Sequence, residues 1–141
     1  MRNCRRSADL RGPNPVPMRA FLAPLLLLSA LSVAAQADRL SPKDFQAALA
    51  KPGVQLVDVR TSEEFATGHL ANARNIDYVN GDFLAGAAKL DKTKPVLLYC
   101  AAGGRSESAL HDLKAAGFTN VHDMLGGIKA WRKDGLPVEN K

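Results

Sequence analysis

Val96-Leu97-Leu98-Tyr99-Cys100-Ala101-Ala102-Gly103-Gly104-Arg105-Ser106-Glu107-Ser108-Ala109-Leu110 begins as an apolar run of strand length that stops at a cysteine. Four small residues and a cation follow, and the pattern resumes with helical spacing. The stretch reads as a strand, a tight loop and a helix. Ligands of open α/β sheets bind where strand ends meet helix starts, so Cys100 falls on the functional edge. The small side chains of Ala101, Ala102, Gly103 and Gly104 let the loop curl until successive backbone N–H groups converge on the sulfur. The start of the next helix adds free N–H groups and partial positive charge, and Arg105 adds a full charge. Such surroundings favour the thiolate, which is the nucleophilic form. The competing reading is a small inert core cysteine, the common fate of a free one. A core cysteine does not need a glycine pair followed by a cation.

Four further pieces stand around this one. They are Asp58-Val59-Arg60; Glu64-Phe65 followed by Gly68-His69-Leu70; Ala73-Arg74-Asn75-Ile76; and Gly126-Gly127-Ile128 with Ala130-Trp131. Together with Tyr99-Cys100, Gly103 and Arg105-Ser106 they cover residues 40 to 137, and in that order the chain resembles the single-domain sulfurtransferases of the rhodanese family. The resemblance implies a compact three-layer α/β/α domain with about five strands. It also implies a nucleophilic Cys100 that carries sulfur as a persulfide, and it places Asp58 and Arg60 near the active-site pocket. The alternation of strands and helices independently calls for a mostly parallel sheet covered on both faces.

With 141 residues, 46% apolar and 23% charged, the chain has the material of one ordinary globular domain. Its formal net charge is +5. Residues 1 to 37 hold five arginines against Asp9 alone, so they account for four of those charges and the remainder of the chain for one. The domain therefore has no basic excess calling for nucleic acid or an anionic membrane.

Residues 18 to 37 begin with Met18-Arg19, continue through an apolar stretch from Ala20 to Val33 and leave through Ala35-Gln36-Ala37. This layout is that of a cleaved secretory signal with Asp38 as the first mature residue. The run is shorter than the ~20 residues of a membrane span and contains Pro24, so no stable membrane association is expected after cleavage. The expectation is a periplasmic or secreted protein. Residues 1 to 17, with Pro13, Pro15 and Pro17, match no folded element and read as an unstructured upstream extension, unless the start is Met18. Arg5-Arg6 invites a twin-arginine export reading, but prolines intervene before the apolar stretch. Cys4 lies in the part expected to be lost, which leaves Cys100 without a partner in its own chain. In an oxidising compartment a lone thiol must be protected by its loop, kept reduced by a partner or held as a persulfide, an intermolecular disulfide being the competing reading.

Along the domain, Ser41-Pro42-Lys43-Asp44 opens a helix that Lys51-Pro52-Gly53 stops. Val54 to Val59 reads as a strand, and Thr61 caps a helical turn closed by Gly68. Asp58 and Arg60, two apart, point to one face and read first as an ion pair bracing the loop; His69 reads as a loop-ordering residue. Ala73 to Ile76 is a short strand and Asp82 to Leu90 a helix. Ser106 to Ala116 is a helix ended by Gly117, and Phe118 to His122 is the last strand. Met124-Leu125-Gly126-Gly127 is a turn that brings backbone close to a neighbour, before a helix anchored in the core by Trp131.

The rhodanese reading has Cys100 attack the outer sulfur of thiosulfate, a polysulfide or a persulfide and pass that sulfur to a thiol or cyanide. The N–H groups of Ala101 to Arg105 stabilise the sulfur anion, Arg105 orients an anionic donor, and Ser106 bonds the loop or sulfur or caps the helix. A protein sulfur acceptor or reductant is a possible partner. No cofactor and no metal are expected, because the chain has no zinc-type cysteine pair and no complete phosphate-binding glycine motif. One rival is a phosphatase or arsenate reductase, whose loop sets five residues between cysteine and arginine where this chain has four. A cysteine-protease pairing with His111 or His122 is conceivable, but nothing in the spacing requires it. The non-enzymatic rival is a sulfur carrier or binding module, which needs the same nucleophile.

Overall fold

The computed structural model describes residues 38–140; the expected upstream extension and signal segment, residues 1 to 37, lie outside the described residues. Five strands and five helices alternate: β1 (Arg39–Leu40), α1 (Pro42–Leu49), β2 (Gln55–Asp58), α2 (Ser62–Ala66), β3 (Arg74–Asn75), α3 (Phe83–Ala87), β4 (Val96–Tyr99), α4 (Gly104–Ala115), β5 (Val121–Met124) and α5 (Gly127–Lys133). The sheet order is β1-β5-β4-β2-β3, and every pair is parallel. All five strands therefore end on one edge.

Strand periodicity divides the core into two layers. From β4, Val96, Leu98 and Cys100 pack with Val57, Val59, Phe83, Ala109, Leu110 and Leu113, beneath α3 and α4. Leu97 and Tyr99 point the other way, onto Phe45, Leu70, Met124, Ile128 and Trp131, beneath α1 and α5. β4 is buried on both faces, which is why it reads as an unbroken apolar run rather than an alternating one.

Local signals set the helix starts. The Ser41 side chain accepts from the Asp44 N–H ahead of Pro42. Thr61 and Glu64 form a reciprocal capping box, and Asp82 accepts from the Ala85 N–H. The strands read at Val54 to Val59 and Ala73 to Ile76 are shorter, at Gln55–Asp58 and Arg74–Asn75, and the helix read to Leu90 ends at Ala87. Three larger differences bear on the site. The last strand is Val121–Met124 rather than Phe118 to His122, because Phe118 turns back into the core and its N–H closes the end of α4 on Leu113 O at 3.0 Å. α4 starts at Gly104, two residues before Ser106. Arg39–Leu40 is a fifth strand, paired with Asp123 and Met124.

Candidate active site

Cys100 follows directly on β4, the strand flanked by β5 and β2, at the edge where all strands end. Its loop closes on itself within three residues. Gly103 takes φ 105°, a region that side chains disfavour, and its N–H donates to Cys100 Sγ at 3.0 Å. A Cβ at Gly103 would lie 3.2 Å from both Arg39 Nη2 and Gly126 N.

The loop's carbonyls are drawn the opposite way. Ile128 N–H donates to Cys100 O at 2.8 Å and Lys129 N–H to Ala101 O at 3.1 Å. Gly126 and Gly127 make this contact possible, with φ of 72° and 58°. A Cβ on Gly127 would overlap the Cys100 carbonyl oxygen and come within 2.6 Å of the Ala101 carbonyl carbon. The start of α5 thus holds C=O groups outward while N–H groups turn to the sulfur, an arrangement suited to an anion.

Burial pushes the Cys100 thiol pKa up, but the Ser106 hydroxyl and the backbone N–H groups of Ser106, Gly103 and Ala102 outweigh it, and the net shift is downward. Two of the expected loop amides, those of Ala102 and Gly103, are among the groups that favour the anion, joined by the N–H of Ser106. Ser106 is fully buried. Its Oγ lies 3.1 Å from Asp123 Oδ2 and 3.2 Å from Gly103 O, so its single proton has more than one acceptor in reach. Cys100 itself is 1% exposed, whereas Ala102 and Gly104 on the rim are exposed.

Arg105 is placed within electrostatic reach of Cys100, but its guanidinium is engaged. It donates to both oxygens of Glu64, at 2.6 and 2.9 Å. The bond from Arg105 leads what lowers the Glu64 pKa to about 2. Asp58 and Arg60 form the expected brace. Arg60 Nη2 donates to Asp58 Oδ2 at 2.6 Å and to Gly68 O at 2.8 Å, both residues are buried, and the guanidinium lies over the Tyr99 ring. Asn75 Nδ2 ties down the carbonyls of Asp58 and Arg60. This brace fixes the segment from which α2 presents Glu64 to Arg105. His69 stacks on Phe65 with ring centroids 3.8 Å apart and pairs by backbone with Glu139.

Three residues bonded into the site have no role in the sequence reading. Glu64 appears there only within the Glu64-Phe65 piece of the resemblance, and its bond to Arg105 had no local signal. Arg39 and Asp123 had no local signal: Arg39 Nε donates to Asp123 Oδ1 at 3.0 Å and Nη2 to Gly103 O at 3.2 Å, tying β1 to the cysteine loop. His122 is paired in register with Leu97 and so faces the sheet side opposite Cys100, while His111 is exposed on α4. Neither is oriented as a base for the sulfur.

Residues 41–134 match the family model described as the rhodanese-like domain. Thiosulfate sulfurtransferase 16 of Arabidopsis thaliana chloroplasts is 40% identical over 97 residues, covering 62% of this chain and 81% of that protein. Thiosulfate sulfurtransferase GlpE of Pseudomonas fluorescens is 38% identical over 92 residues, covering 64% and 82%. Among solved structures, a rhodanese-like domain protein from Staphylococcus aureus superposes with a TM-score of 0.64 at 29% identity, over 74% of this chain and 99% of that one. A rhodanese-related protein from Thermoplasma volcanium gives 0.61 at 27%, over 74% and 100%. The family model thus runs from the start of α1 through α5, taking in the cysteine loop and the glycine pair that seats it, and the chain belongs to the rhodanese-like family.

Proposed function

We propose that the chain is a sulfurtransferase that moves a sulfane sulfur from thiosulfate, a polysulfide or a persulfide to a thiol or cyanide through a persulfide on Cys100. The observation that carries this reading is the Gly103 N–H aimed at Sγ from 3.0 Å, in a loop that lowers the thiol pKa in spite of burial. With thiosulfate, the Cys100 thiolate attacks the outer sulfur, the sulfur–sulfur bond of the donor breaks, and sulfite leaves with the bonding pair. Cyanide or a thiolate then attacks that outer sulfur, and Cys100 departs as thiolate. Both steps need an anionic sulfur stabilised on Cys100 and no external oxidant.

Cys100 is 1% exposed, and the exposed loop residues beside it are Ala102 and Gly104, so a donor approaches the sulfur past this rim. The same burial favours a second reading, a dedicated carrier whose loop is opened by a protein acceptor. Repeated turnover with small donor and acceptor supports the enzyme; transfer that proceeds only with a protein partner supports the carrier.

Intact-mass measurement tests the reading. The purified chain gains one sulfur atom from thiosulfate or polysulfide, loses it to cyanide, and gains none as Cys100→Ser. If no sulfane donor adds mass while phosphate esters are cleaved, the phosphatase reading replaces it. The layout of residues 18 to 37 supports export, which N-terminal sequencing of the mature protein checks by yielding Asp38.

A further inference from the structure

Arg105 is the cation that the loop's own sequence offers to an anionic donor, yet Glu64 occupies its guanidinium bidentately, at 2.6 and 2.9 Å. The second nearby guanidinium is engaged as well: Arg39 binds the buried Asp123 carboxylate and reaches Glu107 at 3.0 Å. The cysteine loop is therefore flanked by two cations, each already neutralised by carboxylate, and its remaining side chains before Ser106 are methyl groups or hydrogens. Glu64 is also held from its own side. Its Oε2 accepts the Thr61 N–H at 3.1 Å and Thr61 Oγ1 accepts the Glu64 N–H at 3.3 Å, so the carboxylate is preorganised on Arg105.

We propose that Glu64 is a specificity-determining positioning residue. Its carboxylate competes with the donor's anionic head for Arg105, so that the site discriminates against dianionic donors such as thiosulfate in favour of singly charged ones. This rests on the sulfurtransferase reading of Cys100 and adds to it a donor class. A donor's doubly charged head must displace Glu64 or meet a guanidinium whose charge is already balanced, whereas a singly charged head forfeits less by leaving the pair intact. The pair is only partly exposed, at 28% for the Arg105 side chain and 35% for Glu64, so salt screens it incompletely.

The experiment compares thiosulfate with methanethiosulfonate, which offers the same outer sulfur on a head carrying one charge fewer. In each case Cys100 takes the outer sulfur, and the leaving group, sulfite or methanesulfinate, departs with the bonding pair. Glu64→Gln removes the charge but keeps a side chain that satisfies the capping box. In this variant the ratio of kcat/KM for thiosulfate to that for methanethiosulfonate rises by roughly three- to tenfold, the range expected for one partly exposed charge. The change lies mainly in the thiosulfate KM, and that KM becomes more sensitive to ionic strength. Thr61→Ala, which loosens the same helix start without altering charge, leaves the ratio near the wild-type value. An unchanged or lower ratio in Glu64→Gln overturns the proposal, as does an equal rise in Thr61→Ala. If neither donor loads sulfur onto wild-type Cys100, the sulfurtransferase reading itself fails, a different result from an unmoved ratio between two working donors.

Discussion

Gly127 lies against the carbonyl of Cys100 so closely that no side chain fits between them: a Cβ would overlap Cys100 O and sit 2.7 Å from Ala101 O. Its φ of 58° adds a conformational demand that other residues meet at a cost of ~1–2 kcal/mol. Gly127→Ala must push α5 and the cysteine loop apart, and overpacking of this kind costs about 1–3 kcal/mol more. The expected outcome is a lower midpoint in urea unfolding together with slower sulfur loading of the variant that remains folded. Wild-type stability would show that the two backbones are free to separate.

The Cys100 thiol pKa is shifted down from its ordinary value, because its hydrogen-bond donors outweigh burial. A depressed pKa means that thiolate is present on the alkaline side of the shifted midpoint and is lost as pH falls through it. The rate of alkylation of the folded protein by iodoacetamide should rise with a midpoint below that of the unfolded chain in urea. In Ser106→Ala the midpoint moves up, since the largest single lowering contribution comes from that hydroxyl. If it stays where it was, the Ser106 proton is given to Asp123 rather than to sulfur.

Much of this arrangement is legible in sequence because its signals are local. Ser41, Thr61 and Asp82 each cap a helix within three residues of themselves, and β4 declares itself as an apolar run closed by the cysteine and its small-residue loop. What escaped was long-range. β1 has two residues, too few for any alternation to show, and exists because Asp123 and Met124 pair with it. Phe118 was read into the last strand because an apolar residue after a glycine fits a strand start as well as a helix end. The Glu64–Arg105 and Arg39–Asp123 pairs bridge 41 and 84 residues of chain, and no spacing rule connects such positions.

Asp58 and Arg60 form an ion pair with side chains 0% and 3% exposed. Removing one partner leaves an uncompensated buried charge, which costs about 3–5 kcal/mol, while replacing both by apolar groups of similar size costs much less. Asp58→Ala and Arg60→Met should each lower the urea midpoint sharply, and the double variant should be less destabilised than the sum of the two. Additive losses in this double-mutant cycle would mean that the side chains act separately, Arg60 through Gly68 O and Asp58 through the Arg60 N–H.

Arg39 offers a last test, because it joins fold and site in one side chain. It reaches the buried carboxylate of Asp123 with two N–H groups and the carbonyl of Gly103, the residue whose N–H holds the sulfur. Arg39→Met leaves Asp123 charged, 0% exposed and paired only with the Ser106 hydroxyl among the bonds described. The unpaired carboxylate then competes more strongly for the Ser106 proton, and the Cys100 pKa rises as that proton is withdrawn from Sγ. Arg39→Met should therefore lose on the order of 1–3 kcal/mol of stability, and its alkylation midpoint should move to higher pH. Adding Asp123→Asn removes the stranded charge, so the double variant should recover part of the stability and bring the midpoint back towards wild type. A midpoint that does not respond to either change would confine Arg39 to holding β1 on the sheet.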